Sequence, residues 1–88
     1  MNVKPFRIPQ SIVLPGLVVG VSEVPPSDEH LDGADGSWHY DEVGAPRVFI
    51  NSQMALTRKR YILLHELHHV IVDYLHMAMQ QHPDKVKP

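Results

Sequence analysis

The chain contains no cysteine, which excludes a disulfide-stapled scaffold and a thiolate metal site. Any bound transition metal must be held by His, Asp, Glu and water. Strong charge of one sign is also missing: eight Lys and Arg against ten Asp and Glu give a formal net charge of −2. No basic run exceeds Arg58-Lys59-Arg60, so there is no electrostatic case for a nucleic-acid partner. That triplet reads as a solvated helix turn. No apolar stretch approaches the ~20 residues of a membrane-spanning helix, and no membrane partner is expected. Lys4 and Arg7 before Ile12-Val13-Leu14 and Leu17-Val18-Val19 faintly imitate a signal peptide. Pro15-Gly16 interrupts that run, however, and no small-x-small cleavage site follows. These residues read better as β structure in a cytoplasmic protein.

With 88 residues the chain is long enough for one small domain, in which a bound metal would add stability as well as chemistry. Residues 12–24 are rich in Val and Leu, and a strand is expected around 17–22 with a short partner before it. Pro25-Pro26 ends it, and Ser27 to Gly36 reads as an acidic, Gly-containing loop. Two short strands, Ser37-Trp38-His39-Tyr40 and Arg47-Val48-Phe49-Ile50, are joined across 41–46. A helix is expected to begin between Asn51 and Thr57, with Ser52 and Thr57 as candidate caps. Arg58, Lys59 and Arg60 would oppose the helix dipole if Thr57 were the cap, which favours the earlier start. Pro83 ends it. A helix over 53–81 would be about 43 Å long, whereas a compact domain of this size is about 31 Å across. Either the helix breaks near Asp73–His76 or its end projects and packs on a partner.

Within that helix His65-Glu66-Leu67-His68-His69 reads H-E-x-x-H. His65 and His69, four residues apart, stand one turn above the other on a single face, where two imidazoles can bind one Zn²⁺. Glu66 lies beside the metal without binding it and can take a proton from a metal-bound water. Seven histidines in the chain make a chance match easier than usual, but context argues against coincidence. Ile62, His65, Glu66, His69, Asp73 and His76 gather on about a third of the helix circumference. Leu63, Leu64, Leu67, Val70, Ile71, Tyr74, Leu75 and Ala78 occupy the rest, as in a core helix. His68 projects away from the pair and reads as a partly buried packing residue. Trp38 and Tyr40 share one strand face as a packing pair, with His39 on the other.

Catalytic zinc commonly has three protein ligands and a water, and the third ligand stays open. Asp73 is on the correct face but ~12 Å from His65 along a straight helix, so orienting a ligand imidazole is as good a role for it as ligation. His76, His82, Glu23, Glu29, His30 and a group from a second chain are the other candidates.

The order of elements resembles the ImmA/IrrE-type minimal zinc metallopeptidases of bacteria, mobile elements and phages, and more loosely the SprT-like zincins. The likeness covers roughly residues 36–76. It runs through the hairpin Gly36-Ser37-Trp38-His39-Tyr40 and Pro46-Arg47-Val48-Phe49-Ile50-Asn51 into Arg60-Tyr61-Ile62-Leu63-Leu64-His65-Glu66-Leu67-His68-His69. It implies an α+β zincin fold, a small twisted sheet packed on a long active-site helix, with an edge strand to hold peptide. It also implies His65 and His69 as metal ligands, Glu66 as the base, zinc as the cofactor, and transcriptional repressors or related regulators as substrates. A helix before the sheet and a ligand-bearing helix after the active one are usual in that family, and these 88 residues have no counterpart of either.

The expectation is one minimal zincin-like domain over residues 1–88, with the sheet at about 12–51 and the active-site helix at about 53–80. Its expected function is zinc-dependent hydrolysis of peptide bonds in a peptide or protein substrate, possible sites for an extended substrate being strands 37–41 or 47–50. The alternative is a non-catalytic zinc-binding or protein-interaction module derived from a zincin. A peptidase completed by a second chain, as a homo-oligomer, would explain a projecting helix.

Overall fold

The computed structural model describes residues 7–81. The elements are β1 (Ser11–Leu14), β2 (Leu17–Val24), β3 (Gly36–Tyr40), β4 (Pro46–Asn51) and α1 (Leu56–Gln81). The fold is α+β, as the sequence predicts: one four-stranded mixed sheet in the order β1-β2-β4-β3 and one long helix.

Pro15-Gly16 makes the tight turn of the β1–β2 hairpin. Proline fixes φ at the first corner, and Gly16 takes φ 74° at the second, where an L side chain would be strained. Leu14 faces Leu17 across it. The β3–β4 hairpin is closed by Asp41, whose Oδ1 accepts hydrogen bonds from Val43 N at 3.0 Å and Ala45 N at 2.8 Å. The two hairpins meet along a parallel ladder between β2 and β4, with Val21 opposite Val48 and Glu23 opposite Ile50. Central β4 is buried at Pro46, Val48, Phe49 and Ile50, because both of its faces are covered.

On one face, Val19, Val21, Val48 and Ile50 meet Ile62, Leu63 and Val70 of α1, with Trp38 and Leu67 packed at the edge. On the other, the 25–35 loop folds back. His30 stacks on Phe49 with ring centroids 4.2 Å apart, and Leu31 is buried. Asp28 holds this turn by accepting the His30 backbone N–H at 2.8 Å. That bond, with help from the His30 ring, keeps the Asp28 carboxyl below its usual pKa.

Two expectations are corrected and one open alternative is decided. The helix starts later than Ser52. Asn51 Oδ1 accepts from Gln53 N at 3.0 Å and Ser52 N donates to Val24 O at 2.8 Å, so 51–54 is a turn tied to the sheet. The bond from Lys59 N to Ala55 O, 2.9 Å, then opens the helix. The basic triplet therefore does oppose the dipole; Lys59 Nζ offsets it by pairing with Glu23 Oε1 at 2.5 Å, and Arg58 lies over the Tyr61 ring. Second, of the two alternatives for the helix end, the break near Asp73–His76 is not taken: α1 runs to Gln81, in keeping with the expected span to about residue 80. Third, it is not a core helix all round. Leu64 and Leu75, read from periodicity as core, are exposed, and so is His68.

Candidate metal centre

His65, Glu66 and His69 lie mid-helix, where α1 passes the start of β3. The rings of His65 and His69 converge, Nε2 to Nε2 at 3.2 Å, with ring planes at 80°. Two imidazole nitrogens bound at ~2.05 Å to one tetrahedral zinc stand roughly 3.3 Å apart. The pair thus fits two corners of a zinc tetrahedron. The same spacing suits a hydrogen bond if one ring carries its proton on Nε2. Tyr61 stacks on His65 at 6.1 Å between centroids, supporting that ring from the N-terminal side.

Glu66 is half-buried beside a cleft of about 300 Å³ lined by Asp35, Gly36, Arg58, Tyr61, Ile62 and His65. Gly36 sets how closely edge strand β3 approaches this cleft. A Cβ built on it would stand 2.2 Å from Ile62 Cγ2 and 3.5 Å from Glu66 Cγ. Sequence reading missed this residue, since a glycine opening a strand carries only the general signal of close backbone approach. The free strand beside the histidines is β3. The alternative substrate strand, 47–50, is excluded as an edge, because β4 is hydrogen-bonded on both sides.

The other ligand candidates are engaged elsewhere. Asp73 accepts a hydrogen bond from Tyr40 Oη, which also lies 3.4 Å from Met77 Sδ. The bond to Asp73, then burial and the carboxylate charge, push the Tyr40 hydroxyl up to about 12. Asp73 thus anchors the far end of β3 to the helix and does not stand with His65 and His69. The His76 Nε2 accepts from Gln80 at 3.0 Å, and Glu23 pairs with Lys59. On the opposite sheet face, His30 bonds Asp28 at 2.8 Å and His39 Nε2 donates to the His30 carbonyl at 2.9 Å. Glu29 is exposed, and His82 lies outside the described residues. Among the described residues, no three His, Asp or Glu side chains gather as a metal set. No helix among them is long and apolar enough to cross a membrane.

No curated protein and no solved structure matches the chain significantly. The family model Peptidase_M78, described as the IrrE N-terminal-like domain, matches residues 15–86, a span that takes in β2, both hairpin strands β3 and β4, and the whole of α1. The chain belongs to this metallopeptidase-related family, the IrrE N-terminal-like domains.

Proposed function

We propose that this chain is a zinc-dependent peptidase that binds the metal through His65 and His69 and uses Glu66 as general base. The observation that carries it is the convergence of the two Nε2 atoms at 3.2 Å, next to a half-buried carboxylate and under an unpaired strand edge. Zinc, when bound there, supplies a Lewis acid that polarises a carbonyl and acidifies water. Glu66 follows His65 directly and faces the cleft at Gly36. Its carboxylate accepts a proton from the attacking water and returns it to the leaving amine. The free edge of β3 holds an extended peptide by main-chain pairing. Family resemblance favours a regulatory protein as substrate, and the reading of the N-terminal residues as β structure favours a cytoplasmic setting. The non-catalytic zinc module is the second reading, favoured by the gathering of only two ligand side chains among the described residues.

Glu66→Gln separates the two readings. Gln keeps the volume but cannot take the proton at neutral pH. Zinc content and fold should be unchanged while cleavage of an unfolded peptide library falls by about 10²–10⁴. Equal cleavage by both forms removes Glu66 as the base. No cleavage by either, with zinc bound in both, establishes the non-catalytic reading.

A further inference from the structure

The side of α1 turned away from the sheet carries an uncharged stripe. At ~100° per residue, Tyr61, Leu64, His68, Val72, Leu75 and Met79 fall within about 80° of the helix circumference. The five apolar members are each between 53% and 66% exposed, and no Asp, Glu, Lys or Arg interrupts them. A solvated helix face would carry charge there. The spacing averages 3.6 residues per turn, so the stripe runs straight along the helix. His65, His69 and His76 line one margin of it, within about 40° of one another.

We propose that a second copy of this chain packs antiparallel on this stripe, and that the partner's His76 supplies the third protein ligand to the zinc held by His65 and His69. The proposal rests on the zinc reading of that pair. Register carries it. A two-fold axis between residues 71 and 72 sets Leu64 against the partner's Met79, His68 against the partner's Leu75, and Val72 within one residue's rise of its own copy. This same register puts the partner's His76 level with residue 67, midway between His65 and His69. A two-fold perpendicular to the plane of the paired helices keeps all three imidazoles on one side of the pair. Antiparallel helices ~8–10 Å apart bring such flanking side chains within reach of one ion. Glu66 lies about 160° round the helix from the stripe, so the cleft and the β3 edge stay open.

The area fits an assembly that depends on the metal. At ~150–200 Å² for a large apolar side chain, the exposed part of the stripe amounts to roughly 500 Å² per copy. Two copies reach only the ~1,000 Å² expected of a minimal specific interface. Such a dimer is weak alone and is strengthened by two bridging ions.

The test is sedimentation equilibrium and zinc content of the full chain, with and without chelator. Wild type should be a dimer holding one zinc per chain and should shift towards monomer when stripped. His76→Ala, at an exposed position, should remain folded by circular dichroism. It should lose zinc affinity by at least the ~10–100-fold typical of disturbed ligand surroundings. Leu75→Glu should be monomeric and lose zinc in parallel. Mixing His65→Ala with His76→Ala is decisive, because each mixed dimer contains one intact site. The mixture should regain up to half the wild-type zinc, while neither variant binds it alone. A zinc-loaded wild-type monomer, or the absence of rescue in the mixture, overturns the trans ligand. In that case loss of zinc on His82→Ala would assign the third position to the same chain. Absence of zinc from wild type in every mass state would overturn the reading of His65 and His69 as well.

Discussion

Replacing Gly36 with alanine puts a methyl group 2.2 Å from Ile62 Cγ2, where carbon atoms normally rest ~3.5–4.0 Å apart. The contact must open by roughly 1.5 Å on that scale. Ile62 cannot yield: it is 5% exposed and belongs to the core cluster, and a β-branched side chain on a helix is held in one χ1 well, which fixes Cγ2. β3 must therefore move away from α1. Overpacking of this kind costs about 1–3 kcal/mol, and in a domain of this size each kcal/mol lowers Tm by about 4–8 °C. The strand that moves is the one beside Glu66, so peptidase activity should fall by about 10²-fold, as for a ~1 Å displacement of a positioning element. Thermal unfolding and peptide cleavage measure the two effects. Ile62→Ala alone should cost about 2–5 kcal/mol by leaving a cavity. Because it also removes Cγ2, the double variant should be clearly more stable than the sum of the singles predicts, with a coupling of about 1 kcal/mol or more. A neutral Gly36→Ala, or strict additivity, would show that β3 and α1 do not meet as described.

Two further substitutions test the site and its supports. His68 lies about 100° round the helix from His69 and holds no metal, so His68→Ala trims only the exposed stripe and should cost much less zinc affinity than His69→Ala; isothermal titration compares them, and equal losses with the dimer intact by sedimentation would show that α1 is irregular there. The Tyr40 hydroxyl, raised to about 12 by its bond to Asp73, gives a contact whose stabilisation is complete below pH ~10, the ordinary tyrosine value, and is lost as pH rises from there through about 12. Tyr40→Phe should remove the last-titrating component of the phenolate absorbance and flatten the alkaline limb of stability; an unchanged absorbance titration would place that late component on another tyrosine.

Local signals were legible in this sequence and non-local ones were not. Both hairpins followed from short Val- and aromatic-rich runs bounded by Pro, Gly and Asp, and the convergence of the His65 and His69 rings followed from helical spacing alone. The helix start went astray because Asn51 uses its side chain for a turn with Gln53 while Ser52 N bonds the end of β2. Capping preference cannot foresee a competing tertiary bond. The central place of β4 depends on parallel pairing with β2 across the 25–35 loop, and no local pattern encodes strand order. Periodicity separated the histidine margin from the apolar remainder of α1. It could not say which apolar residues meet the sheet, because Leu63 and Leu64 look alike until the sheet is placed.

The parallel ladder between β2 and β4 also has a consequence for folding. Each hairpin is a local unit with a short loop, closable in microseconds. The seam joins Gly20–Val24 to Arg47–Asn51, and its formation must first pay the loop entropy of the intervening chain. Helix α1 packs on β4 and β3 and contributes Ile62, Leu63 and Val70 to the core shared with Val19 and Val21 of β2. Nucleation therefore favours β3–β4–α1, with the β1–β2 hairpin docking last, so that the part of the chain holding the histidines takes shape before the sheet is complete.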